Sequence, residues 1–144
     1  MRFLVMVKGN KEYEAGAMPK QQELAEMGRF NDELGKAGIM LAADGLHPSS
    51  KGVRISYSGN KRTVRDGPFT EAKELVAGFW IWQVKSRAEA LEWAKRIPFT
   101  NGEEVEIRQV FEAEDFGAEL TPELRQYEER QRQQIEKNRQ QARK

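Results

Sequence analysis

An α+β fold of the split βαβ, or ferredoxin-like, kind is what this sequence predicts, and three observations carry it. Two short runs, Phe3 to Val7 and Leu75 to Val84, are apolar at odd and even positions alike, as central strands covered on both faces require. Each is followed by a segment with apolar residues at helical spacing. The resulting order is strand, helix, strand, inserted hairpin, strand, helix, strand, which places both helices on one face of an antiparallel sheet.

Element by element, residues 2 to 8 form the first central strand. Pro19 is suited to the first position of a helix. Leu24, Met27, Phe30 and Leu34 then keep the spacing until Gly38 supplies a left-handed stop. Ile39 to Ala43 reads as a second strand, closed by the turn-rich segment from Asp44 to Ser50. Val53, Ile55 and Tyr57 alternate with polar residues up to Gly59 and Asn60, a two-residue hairpin signal, and the chain returns from Lys61 to Asp66. After the long strand from Leu75 to Val84, Ser86 and Glu89 have capping-box spacing ahead of a helix through Ile97, which Pro98 ends. Glu104 to Phe111 alternates charged side chains against Val105 and Ile107, the pattern of an edge strand.

The hairpin register follows from its turn. Tyr57 falls opposite Arg62, Ile55 opposite Val64, Arg54 opposite Arg65 and Val53 opposite Asp66. Arg54 and Arg65 are thus a like-charge cross-strand pair, which calls for an intervening acid or bound anion. Asp66 falls on the apolar side of the hairpin, at the entrance to Gly67 and Pro68, as either a turn cap or a partly buried carboxylate.

Composition narrows the function. A chain of 144 residues suits one main domain and buries roughly two thirds of its unfolded surface. With 24 basic and 23 acidic residues, no overall charge steers it to nucleic acid or an anionic membrane. There is no cysteine, so disulfides, thiol nucleophiles and thiolate metal sites are excluded, and a cytoplasmic location is expected. One histidine cannot build a tight zinc or copper site, and nucleotide, serine-hydrolase, zinc-protease and calcium motifs are missing; neither a metal nor a cofactor is expected. No apolar run is long enough to span a membrane.

The stretch DGPFTEAKE over 66–74, with AADGLHPSSKG over 42–52 and GFWIWQVKSRAEALEWAKRIP over 78–98, resembles the DGPF-domain branch of the YCII-related family, across residues 1 to 117. The resemblance implies a bacterial cytoplasmic homodimer, a dimeric α+β barrel closed through the open sheet face, with an unassigned cleft and, in some cases, a gene near extracytoplasmic-function sigma factors. Some members carry a proposed His and Asp pair with the histidine on the first helix. Residues 18 to 38 here contain no histidine, so at most Asp66 inherits the acidic role and His47 substitutes from another loop.

Candidate site residues follow. Asp66 is either a turn-capping carboxylate or a proton acceptor. His47, the one side chain that ordinarily titrates near neutrality, is either a turn residue or a general acid or base paired with Asp44 or Asp66. Candidate ligand contacts are Asp44, Arg54, Arg65, Glu71, Lys73, Trp80, Trp82 and Arg108. Glu106 and Arg108 read equally as edge charges that oppose aggregation. From Thr121 onward a helix with a thin stripe of Leu124, Tyr127 and Ile135 forms a C-terminal extension over 118–144, expected to be mobile after Ile135. Three functional classes follow: a small-molecule binder or enzyme, a regulatory module contacting a protein through that helix, or a structural dimer.

Overall fold

The computed structural model describes residues 1–142. The chain divides into two compact units, Met1–Val110 and a second beginning at Phe111.

In the first unit, β1 (Arg2–Lys8) leads to a four-residue helix, α1 (Lys11–Glu14), and then to α2 (Gln21–Lys36). Sequence spacing misses α1; its tie is local, the Asn10 side chain accepting the Tyr13 N–H at 2.8 Å. Helix α2 begins two residues later than Pro19 suggests. Lys20 is still extended, with ψ 160°, and its carbonyl accepts the amide of Leu24. At the other end Gly38 takes φ 73°, the left-handed conformation that ends a helix without a Cβ penalty.

Strand β2 (Met40–Gly45) follows, then the hairpin of β3 (Val53–Ser58) and β4 (Lys61–Asp66). All six hairpin pairs have the register expected from the Gly59 turn, from Ser58 against Lys61 to Val53 against Asp66. Strand β5 (Val76–Gln83) runs into α3 (Arg87–Ala94), capped by the Ser86 hydroxyl on the Glu89 amide. The Glu89 carboxylate reaches back to the Lys85 amide, one residue beyond the usual capping-box partner, the amide of Ser86. Helix α3 stops at Ala94 rather than Ile97: the amides of Arg96 and Ile97 turn to carbonyls three residues back, tightening the chain ahead of Pro98. Strand β6 (Val105–Gln109) closes the unit.

The main sheet has the antiparallel order β2-β5-β1-β6, with both doubly apolar strands in the middle, and the hairpin is a separate two-stranded sheet. One face of the main sheet presents Phe3, Val5, Trp80 and Trp82 to Phe30 and Leu34 of α2 and Ala90 of α3. Phe30 is the hub. Its ring stands edge-on to Trp80 at 6.1 Å and to Trp82 at 6.3 Å, and lies 6.4 Å from Trp93, the spacing and tilt at which aromatic quadrupoles attract. The indole N–H of Trp82 is fully buried and has no acceptor, a cost set against that packing.

The opposite face carries Leu4, Met6, Phe79 and Ile81, paired as Leu4 with Ile81 and Met6 with Phe79. These side chains are half-buried, and the core cluster does not include them.

The second unit comprises a short turn of helix (Ala113–Glu119) and α4 (Pro122–Ala142). Thr121 caps α4 as the sequence suggests, its hydroxyl accepting the Leu124 amide. Helix α4 runs on past Ile135 to Ala142, and the last two positions of the 118–144 extension lie outside the described residues. Its polar face is laced by pairs one turn apart, such as Gln134 Nε2 donating to Asn138 Oδ1 at 2.9 Å, which compensate in part for the thin apolar stripe. Among the described residues no helix is long and apolar enough to cross a membrane.

Candidate functional site

Two neighbouring networks and one cavity gather half of the sequence-predicted residues. In the first network α1 presents Tyr13 and Glu14 to the loop after β2. The Tyr13 hydroxyl lies 2.7 Å from the carbonyl oxygens of both Leu46 and His47. Burial, then the Glu14 carboxylate beside it, raises the Tyr13 pKa above 10.0. Glu14 accepts the Ser49 amide at 3.0 Å and the Ser49 hydroxyl, and the Ser49 oxygen in turn accepts the Phe69 amide at 3.0 Å.

The same loop dictates Gly67. A Cβ at that position would lie 1.7 Å from the Ser49 carbonyl oxygen, and the Gly67 amide donates to the Gly52 carbonyl at 3.0 Å. The Gly67-Pro68 peptide is cis. The DGPF turn and the His47 loop are therefore packed against each other. Their titratable side chains point elsewhere: His47 is exposed and contributes its carbonyl. Of the two readings of Asp66, a partly buried carboxylate is not what the structure has: Asp66 pairs with Val53, and every residue of β3 and β4 is exposed.

The second network explains the pairing of Arg54 with Arg65. An aromatic ring, not an acid, lies between the charges: the Arg54 guanidinium carbon is 3.8 Å from the Phe69 ring centroid and that of Arg65 is 5.5 Å away. The negative face of the ring attracts both cations and so offsets their repulsion. Phe69 is placed there by its amide bond to Ser49, so the DGPF turn serves as a mount for that ring.

Other candidates are dispersed. Glu71 and Lys73 line a polar groove of about 620 Å³ with Lys8, Lys11, Glu12 and Glu104. Arg108 lies on the uncovered side of the sheet opposite Leu4, its Nε 4.0 Å from Glu106, which also lies 3.8 Å from the Lys8 ammonium. The exposed Arg108–Glu106 pair contributes little to stability. Among the described residues no three His, Asp or Glu side chains are placed to hold a metal ion.

The cavity lies between α2 and the sheet. It has a volume of about 240 Å³ and is lined by Val7, Met27, Asn31, Ala43, Asp44, Gly45, Gly78, Phe79, Trp80 and Phe99. Two candidates, Asp44 and Trp80, therefore share a site, whereas Trp82 is sealed in the core at 0% exposure. The Trp80 indole N–H donates to Asn31 Oδ1 at 2.9 Å, which fixes the amide and turns its NH₂ group into a spare pair of donors. At the sheet end, a Cβ on Gly78 would approach the Asp44 carbonyl oxygen to 3.1 Å, so glycine allows β2 and β5 to close tightly there. Asn31, Met27 and Phe99 escape sequence reasoning because Asn31 looks like an ordinary polar helix position; its proximity to Trp80 is a tertiary fact.

An antiparallel α+β sheet with both helices on one side and a small, mostly apolar cavity beneath one of them defines the class of protein. More particularly, the chain belongs to the YCII-related domain family, which matches residues 1–114. An uncharacterized protein of Rhizobium meliloti is 31% identical over 80 residues, which are 56% of this chain and 62% of that protein. This chain thus matches less than two thirds of that relative's length. Among solved structures, a 5-chloro-2-hydroxyhydroquinone dehydrochlorinase from Burkholderia phenoliruptrix, in complex with 2,5-dihydroxybenzoquinone, aligns with 80% of this chain and 98% of its own, at 12% identity and a TM-score of 0.41. Neither its reaction nor its ligand is carried over to this chain.

Proposed function

We propose that this protein binds a small, largely apolar molecule in the cavity between α2 and the sheet, with Asn31 as its polar contact. The carrying observation is the Asn31 amide, fixed by the Trp80 indole inside a wall of Val7, Met27, Ala43 and Phe99. Apolar walls with one or two convergent polar groups are the usual composition of a ligand site, and 240 Å³ lies below the roughly 300–1,000 Å³ of pockets for drug-sized ligands. A compact ligand with a hydrogen-bond acceptor therefore fits. A thermal-shift screen with small aromatic and heterocyclic compounds tests this, because a ligand of the native state raises the melting temperature by mass action. Ala43→Phe, which fills the cavity, should abolish a hit while Asp66→Ala leaves it intact; a hit indifferent to Ala43→Phe would overturn the assignment.

The same reading pairs two chains through the uncovered sheet face into a dimeric α+β barrel, since Leu4, Met6, Phe79 and Ile81 form an apolar patch of the kind soluble monomers rarely leave open. Ile81→Lys should then yield monomers in analytical ultracentrifugation, and a wild-type chain that is already monomeric would refute the pairing. DGPFTEAKE over 66–74 supports the DGPF branch, and the lack of cysteine supports a bacterial cytoplasmic setting. A second reading, a protein partner on α4, is favoured by the exposure of Leu124, Tyr127 and Ile135 at 48%, 54% and 50%. Deleting 121–144 should then remove a co-purifying partner.

A further inference from the structure

We infer that the polar face of the β3–β4 hairpin is a binding site for a phosphoryl dianion, gripped by Arg54 and Arg65. The inference stands apart from the cavity beneath α2. Residues 51–66 carry five cations, Lys51, Arg54, Lys61, Arg62 and Arg65, and one carboxylate, Asp66, in a chain whose net charge is +1. Register divides the hairpin into two faces. Val53, Ile55, Tyr57, Arg62, Val64 and Asp66 share one, and Arg54, Ser56, Ser58, Lys61, Thr63 and Arg65 share the other. The second face is wholly polar, with the Ser56 and Thr63 hydroxyls next to the arginine pair.

Arg62 is spoken for, donating to the carbonyls of Gly59 and Lys61 and stacking on Tyr57. Arg54 and Arg65 differ. Their guanidiniums rest near the Phe69 ring, and among the described residues neither has a carboxylate partner. A guanidinium held by its π face keeps its N–H edge free, the edge that forks onto an oxyanion. Phe69 itself is pinned by its amide hydrogen bond to Ser49, so the Arg54 fork, 3.8 Å from the ring, is held before any ligand arrives, with Arg65 5.5 Å from the same ring. Two adjacent cations favour a dianion over a single carboxylate, and neighbouring hydroxyls suit a group with three acceptor oxygens.

The test uses the full chain and NMR of the arginine Nε–H groups at a pH above the second phosphate pKa of about 6. Inorganic phosphate and glycerol 2-phosphate are titrated separately, against chloride at matched ionic strength and against glutarate. Saturable shifts at Arg54 and Arg65, with Arg125 and Arg130 unmoved, are the expected result. Tighter binding of phosphate identifies the free ion as the natural class, and tighter binding of the ester a phosphomonoester; either supports the site. Arg65→Lys keeps the charge and loses the fork, so it should weaken binding by about tenfold, as should Phe69→Leu. Backbone amide shifts of the hairpin ladder establish that both variants retain their fold. Non-saturating shifts shared by all arginines would reduce the effect to screening and overturn the proposal, as would glutarate binding as tightly as phosphate.

Discussion

Replacing Gly67 by alanine should detach the DGPF turn while leaving the sheet folded. Gly67 has no positive φ to demand glycine. The demand is steric: the added Cβ would lie 1.7 Å from the Ser49 carbonyl oxygen, where contacts below 3.0 Å are essentially never found. Backbone meets backbone, so no side chain can swing away and the turn must shift by more than an ångström. That shift breaks the Gly67 amide bond to Gly52 and the Phe69 amide bond to Ser49, each contributing about 0.5–1.5 kcal/mol, and unseats the ring from Arg54, about 0.5–1 kcal/mol more. The total is roughly 1.5–4 kcal/mol, or on the order of 10- to 700-fold in a local opening equilibrium. Hydrogen exchange followed by mass spectrometry is the assay. Peptides covering 49–69 should lose protection by up to that factor, while those of β1 and β5 keep theirs, because the hairpin shares no ladder with the main sheet. Protection at Phe69 within threefold of wild type would refute the reasoning.

Further outcomes follow from the same contacts. Phe30→Ala removes the ring that meets three indoles and should cost about 3–5 kcal/mol in urea unfolding followed by tryptophan fluorescence. Asn31→Leu leaves the Trp80 N–H without its acceptor; a destabilisation of about 1–3 kcal/mol and a shifted Trp80 indole resonance in NMR are expected. Tyr13 links stability to alkaline pH. Its folded pKa is raised by burial and by Glu14, so its contribution is complete below the unfolded value near 10.0 and is lost as pH rises through the folded value. Tyr13→Phe should flatten that alkaline slope in thermal melts between pH 9 and pH 11, about one unit either side of the free phenol.

Much of the fold was legible because short-range chemistry agreed with long-range packing. The hairpin register follows from Gly59 alone, and the two doubly apolar runs could only be the middle strands of a sheet. The site was less legible. Arg54 and Arg65 were recognisable as an electrostatic problem, but its resolution by Phe69 depends on how the turn folds back onto Ser49. Alternation placed Asp66 on the apolar side of the hairpin but could not say whether that side is covered; Val53, Ile55 and Val64 are exposed at 52%, 46% and 63%. Helix α1 was missed since four residues carry no periodicity, although Asn10 three positions before Tyr13 was a usable cap signal. Tyr13 and Glu14, its most consequential residues, act through contacts more than thirty positions away.

The independence of the hairpin has a practical side. Its ladder ends at a two-residue tip, Gly59 and Asn60, and opening or lengthening that tip breaks no bond of the four-stranded sheet. Exposed tips of this kind tolerate inserted sequence best. An epitope or a fluorophore-binding peptide grafted between Gly59 and Asn60 would ride on a short stalk clear of the aromatic core, turning the hairpin into a handle by which the protein can be immobilised or tracked while the chamber beneath α2 stays untouched.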